Sequence, residues 1–186
     1  KVNSGEYKVM GLAPYGTPRF VDALGALAGV GDDGALAVDD RALRWYTPRV
    51  LRSERLAQIF DGPPRAQDEQ LTQRDADLAA SVQSVIESTM QRIANRAQAV
   101  TGSTNLCLAG GVALNCVANG KLLRSGPFES IWVQPAAGDA GGALGAALAH
   151  WHMHLRSPRQ AATTDAMQGA ALGPSVDREA AQRAVT

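Results

Sequence analysis

From about Asp68 to Val100, apolar and polar residues alternate with the period of a helix. Leu71, Leu78, Val82, Val85, Ile86, Thr89, Ile93, Ala97 and Val100 share one face, with Gln73, Arg74, Asp77, Gln91 and Arg92 on the other. The spacing predicts one long helix, ended by Thr101-Gly102-Ser103. Ala and Val outweigh any strict heptad, so this face is expected to cover a sheet rather than form a coiled coil. Beyond it, short apolar runs alternate with glycine-bounded helical stretches. Asn105 to Ala109 reads as a strand, Val112 to Leu123 as a helix, Ile131 to Gln134 as a second strand, and Gly142 to His154 as a second helix. Strand, helix, strand, helix with tight glycine turns implies an α/β lobe whose mainly parallel sheet is flanked by helices.

The first third is less regular. Lys1 to Phe20 is rich in Gly and Pro and reads as a structured loop, and Val21 to Leu27 as a short helix. A turn cluster follows at Gly29, Gly31, Asp32, Asp33 and Gly34. Ala35 to Val38 and Leu43 to Tyr46 predict a short strand pair. Ser53 to Phe60 predicts a brief helix closed by Asp61-Gly62-Pro63-Pro64. From Arg156 the chain turns polar, and Ser175 is placed to cap a helix running through Asp177, Glu179 and Ala180. The absence of an initiating Met and the short last helix are read as the ends of a piece of a longer protein. Residues 1–155 would form one lobe, and residues 156–186 a linker and the start of a following domain.

Composition narrows the function classes. The 186 residues carry 18 Lys and Arg against 18 Asp and Glu, so no net field invites nucleic acid or an anionic membrane surface. No apolar run approaches the roughly 20 residues of a membrane span. The polar opening Lys1-Val2-Asn3-Ser4 is not a signal peptide. Cys107 and Cys116 are too few for a disulfide framework. The expectation is a cytoplasmic protein.

Three motifs carry candidate chemistry. In Leu106-Cys107-Leu108-Ala109-Gly110-Gly111-Val112-Ala113-Leu114-Asn115, a strand delivers two glycines to a helix start. Backbone without Cβ atoms approaches a ligand closely, and free helix N–H groups favour negative charge. Asn115 would reach a ribose or base edge, although a plain βα turn with a polar residue explains the same pattern. In Gln134-Pro135-Ala136-Ala137-Gly138-Asp139-Ala140-Gly141-Gly142, Asp139 ends a strand at the edge where open α/β sheets bind ligands. It would ligate a metal or merely cap the helix. The segment is not a dinucleotide fingerprint, since Ala140 stands where the first glycine belongs, and no Walker A sequence occurs. Near the start, Gly5-Glu6-Tyr7-Lys8-Val9-Met10-Gly11-Leu12-Ala13-Pro14-Tyr15-Gly16 would set Glu6 and Lys8 against a nucleotide, or serve as a surface loop pinned by Met10, Leu12 and Tyr15. His150 and His154, one turn apart, are a candidate metal pair. All of His150, His152 and His154, however, fall about three helical turns, ~16 Å, from Asp139 and are read as C-terminal residues favoured by the helix dipole. No residue stands out as a general base.

Taken in order, these three motifs resemble the carbamoyltransferase family that includes nodulation protein U and the antibiotic O-carbamoyltransferases. The resemblance runs from residue 1 to about 150 and is weakest over 17–67. It implies the C-terminal part of an actin-like (ribonuclease-H-like) ATPase lobe, followed in the family by a carbamoyladenylate-forming domain. It implies ATP-dependent chemistry in which carbamoyl phosphate yields carbamoyladenylate, and the carbamoyl group passes to a hydroxyl of a sugar or natural product. By motif position Asp139 matches an aspartate ligand of a divalent metal, Fe²⁺ in type. Gly110, Gly111 and Asn115 match nucleotide contacts, with Glu6 and Lys8 as weaker ones. In the family the metal-binding histidines, spaced His-x-x-x-His, lie upstream of the matching segment and so are not part of this chain, which alone is expected to be inactive and to hold metal weakly. A non-catalytic ATP-binding lobe that forms a homodimer, and a tRNA threonylcarbamoyl-transfer protein, stay as alternatives; neutral charge weighs against the second.

Overall fold

The computed structural model describes residues 5–31, 34–39, 54–66, 68–160, 162–175 and 177–185. Its organising element is the long helix α4, Gln73–Thr101, set here in chain order after α1 (Glu6–Leu12), α2 (Val21–Leu27), strands β1 (Ala28–Val30) and β2 (Leu36–Val38), and α3 (Glu54–Ile59). After α4 come β3 (Asn105–Leu108), α5 (Cys116–Ser125), β4 (Ser130–Val133), α6 (Gly141–Ala149) and α7 (Arg178–Val185). No helix among the described residues is long and apolar enough to cross a membrane.

Local chemistry sets the limits of α4. Thr72 accepts from the N–H of Asp75, whose carboxylate accepts from the N–H of Thr72, a reciprocal capping box. At the far end Gly102 takes a left-handed conformation (φ 65°) and closes on the carbonyl of Gln98. The expected stop at Thr101-Gly102-Ser103 therefore holds.

Sequence periodicity placed Asp77 on the polar side of this helix; the structure buries it at 6% exposure, beside Ala76, Ala79, Ala80 and Ser81. The reason is a second layer. Residues 5–20, expected as a loop, form α1 and a 3₁₀ turn over Ala13–Tyr15, and both pack on α4. Gly16 permits this approach, since a Cβ there would lie 2.0 Å from the carbonyl oxygen of Ala76. The Asp77 carboxylate accepts from the N–H of Thr17 (2.8 Å), the Arg19 guanidinium (2.9 Å) and the Gln73 amide (2.9 Å). These three bonds, the Thr17 N–H first, hold its carboxyl below the usual range.

Among the described residues the β-structure is two small pairs rather than one mainly parallel sheet. β1 and β2 run antiparallel, with Gly29 opposite Ala37. The expected partner of residues 35–38, Leu43–Tyr46, lies outside the described residues. β3 and β4 run parallel, with Cys107 opposite Trp132, as the strand–helix–strand order required. Their other face turns Leu106, Leu108 and Ile131 onto a core of Ala94, Leu122 and Phe128. Beyond Ala94 the apolar stripe of α4 is only partly covered. Ile86, Met90, Ile93 and Ala97 line an apolar groove of about 420 Å³ with Leu106 and Val112.

The long helix begins at Gln73 rather than near Asp68, and two later helices also differ from their expected bounds. The predicted helix from Val112 divides into a 3₁₀ turn, Gly111–Leu114, and α5, because Asn115 leaves helical backbone (ψ 88°) to cap the second piece. The helix expected to end at His154 changes register after Ala149 into a π-helical turn, His150–His154. There the rings of His150 and His154 stack with centroids 4.9 Å apart.

Candidate functional site: two loops at the carboxyl edge of a parallel strand pair

β3 and β4 end side by side, and each releases a loop at its carboxyl end. The two loops are joined: the N–H of Gly110 donates to the carbonyl of Ala137 (2.8 Å), and the N–H of Gln134 to that of Leu108 (3.1 Å). The two motifs read separately from the sequence thus form one rim. Gly110 has φ 97° and ψ 162°, a backbone state that residues with a Cβ occupy only under strain. Gly111 has no such constraint. A Cβ on either glycine would meet nothing within 4 Å, so both backbones face open space.

Asn115 sits at the centre of a polar chain. Its Oδ1 accepts from the N–H of Ala118 (3.0 Å), the N-cap bond of α5. It pairs reciprocally with Gln83 of α4: Asn115 Nδ2 donates to Gln83 Oε1 (2.8 Å), and Gln83 Nε2 donates to Asn115 Oδ1 (3.2 Å). Gln83 Nε2 also donates to Glu87 (2.9 Å), and Glu87 accepts from Lys121 (2.8 Å). Burial pushes the Glu87 carboxyl up, but the Lys121 and Gln83 hydrogen bonds outweigh it and bring it below the usual range.

The residues expected to act are not all drawn together. Asp139 is exposed on the second loop; its backbone carbonyl accepts from Gly142 (3.0 Å), and its carboxylate has no partner among the described residues. α1 reaches the rim through Met10, whose sulfur lies 4.0 Å from that of Cys116. Glu6 accepts from the N–H of Gly5 (3.0 Å), within its own helix start, and Lys8 lies 6.0 Å from the ring centre of Tyr7. Three polar residues of the neighbourhood were not singled out from the sequence. Gln83 and Glu87 are one turn apart and interrupt the apolar run Val82, Val85, Ile86, which is the signal that would have found them. Asn119 donates to the carbonyl of Ala113 (2.7 Å), and its Oδ1 is buried without a partner among the described residues.

The larger cavities lie elsewhere. One of about 710 Å³ sits between α2, the β1–β2 pair and α4, lined by Gly25, Val30, Ser88 and Arg92 among others. Another of about 610 Å³ lies between α4 and α5, beside Glu87 and Lys121. Neither is lined by Gly110, Gly111, Asn115 or Asp139. The glycine rim is an open edge.

Comparison with known proteins agrees with the motif order. Residues 1–148 match the family model for the carbamoyltransferase N-terminus. An uncharacterized Synechocystis protein is 50% identical over 96% of this chain and 29% of its own length. Nodulation protein NolO of Bradyrhizobium diazoefficiens is 45% identical over 77% of this chain and 24% of its own. Nodulation protein NolNO of Sinorhizobium fredii is 41% identical over 95% of this chain and 24% of its own. The chain belongs to the carbamoyltransferase family, through that family's N-terminal domain rather than its C-terminal one. It spans about a quarter of the length of these relatives.

Proposed function

We propose that this chain supplies the nucleotide-contacting rim of an ATP-dependent O-carbamoyltransferase. The whole enzyme, in this reading, carries an actin-like lobe and moves a carbamoyl group from carbamoyl phosphate, through carbamoyladenylate, to a hydroxyl of a sugar or natural product. The observation that carries it is the joined pair of loops at the carboxyl edge of the parallel strands, where ligands of open α/β sheets sit. Backbone at Gly110 and Gly111 is accessible to phosphate or ribose oxygens, and Asn115 caps the N-terminus of α5 with an amide hydrogen to offer. Glu6 and Lys8 are more distant candidates, Lys8 as a point charge toward phosphate.

The metal does not fit the described residues taken alone. Among them no three His, Cys, Asp or Glu side chains cluster to hold an ion. A divalent cation such as Fe²⁺ requires several ligands at once, of which Asp139 would supply one. No step is therefore assigned to a metal, and no residue here is assigned as general base. The role of these residues is binding and orientation, which in a transfer reaction fixes the mixed anhydride relative to the acceptor hydroxyl.

Gly111→Ala separates this reading from a merely structural turn, because the fold leaves room for that methyl group. Calorimetric titration of ATP into the chain should give measurable binding. In Gly111→Ala the thermal midpoint should be unchanged while affinity falls by about tenfold or more. A folded wild-type chain that takes up no ATP, or a Gly111→Ala variant that binds as well as wild type, would overturn the assignment.

A further inference from the structure

The polar chain from α4 to α5 decides what Asn115 can recognise. Its two ends are chemically one-way. The N–H of Ala118 can only donate, so the Asn115 side chain must turn its oxygen there (3.0 Å). The Glu87 carboxylate only accepts, so Gln83 must turn its nitrogen toward it (2.9 Å). Between these ends the two amides are left in the orientation that forms the reciprocal Gln83–Asn115 pair (2.8 and 3.2 Å). Flipping either amide would set donor against donor or acceptor against acceptor.

The count of remaining hydrogen-bonding capacity follows. Asn115 Oδ1 already accepts twice, from Ala118 and Gln83, and so has no lone pair left for a ligand. Asn115 Nδ2 has two hydrogens, one given to Gln83 and one without a partner among the described residues. Gln83 is 7% exposed, and each of its polar hydrogens and its oxygen is engaged within the chain. It therefore does not meet a ligand itself.

We propose that Gln83 and Glu87 are positioning residues that make Asn115 a donor-only contact, so that the ligand atom it meets is an acceptor: a phosphate or ribose oxygen, or a ring nitrogen of the base. An exocyclic amino group is excluded as its partner. The proposal deepens the nucleotide reading and rests on it for the ligand, while the positioning itself is a property of the chain without ligand. Lys121 anchors the outer end on the surface, with 61% of its side chain exposed against 15% for Glu87. What the relay needs from residue 87 is an acceptor for Gln83, and the charge is secondary.

The test combines side-chain amide hydrogen exchange, read by NMR on the ¹⁵N-labelled chain, with ATP titration of wild type, Glu87→Ala, Glu87→Gln and Gln83→Met. In wild type the two Asn115 amide protons should exchange unequally, one protected and one open. Glu87→Ala and Gln83→Met should remove that inequality and weaken ATP binding by about tenfold. Glu87→Gln keeps an acceptor and should restore both. Equal exchange of the two protons in wild type, or a folded Glu87→Ala variant with unchanged exchange and affinity, would overturn the relay even where ATP binds. Unequal exchange in a chain that takes up no ATP would support the relay and sink the nucleotide reading instead.

Discussion

Ser81 has no exposed surface, and both of its hydrogen bonds reach backbone groups. Its Oγ accepts from the N–H of Phe20 (3.0 Å) and donates to the carbonyl of Asp77 (2.6 Å). Phe20 is itself buried, so Ser81→Ala strands a peptide donor away from water. That should cost about 1–3 kcal/mol, read as a lower urea midpoint with unchanged slope. A variant as stable as wild type would mean that water reaches Phe20. At this scale the sequence was readable for Gly110, whose place between strand and helix suggested a special backbone. It was not readable for Asp77 or Gln83. Their partners, Thr17 and Arg19 for one and Asn115 for the other, lie tens of residues away, and periodicity along a helix reports nothing about what arrives from so far off.

At the scale of elements, α4 shows how local signals suffice when they are complete. The capping box at Thr72 and Asp75 and the left-handed glycine at 102 fix both ends. Burial alone would raise the Asp75 carboxyl, and the Thr72 hydrogen bonds more than offset it. Thr72→Ala should destabilise the chain by about 1 kcal/mol, seen as a fall of several degrees in Tm, whereas Thr72→Ser should not. Equal behaviour of the two variants would show that the cap is dispensable. α1 is the opposite case. Seven residues containing a glycine and followed by proline make a poor isolated helix, since so short a segment is marginal in water. Its helicity comes from packing on α4, and so the Gly- and Pro-rich composition read as a loop.

For the whole molecule, the N-terminal layer and α5 are both tied to α4 through carboxylates. Asp77 holds Thr17 and Arg19, and Glu87 holds Lys121 and Gln83. Both carboxyls lie below their ordinary values in the folded chain. Arg19 is held above its own by Asp61 and then Asp77, and so stays charged throughout the acid range. A carboxyl depressed on folding stabilises fully above its unfolded pKa, and that contribution is lost as pH falls through the folded value. Thermal stability should therefore be level from neutral down to about pH 5 and decline below about pH 4. Asp77→Asn should flatten that decline at the expense of a lower Tm near neutral pH; an unchanged pH profile would remove Asp77 from the account.

Several apolar side chains of the C-terminal half stay exposed. Strands β3 and β4 are covered on one face only, and Trp132 remains 45% exposed on the other. Helix α6 buries none of its residues, and Trp151, Met153 and Leu155 beyond it are exposed as well.

The sequence by itself determined the long helix and its C-terminal stop, the parallel pairing implied by strand–helix–strand order, and the family. Each of these is written in neighbouring residues: caps, a repeat period, or glycines at a turn. Only the tertiary structure decided that the two glycine loops share one rim, that the N-terminal segment is helical, and that the amide of Asn115 pairs with Gln83, which in turn meets Glu87. Those features arise from contacts between residues far apart in the chain, where burial and hydrogen-bond pairing outweigh local preference.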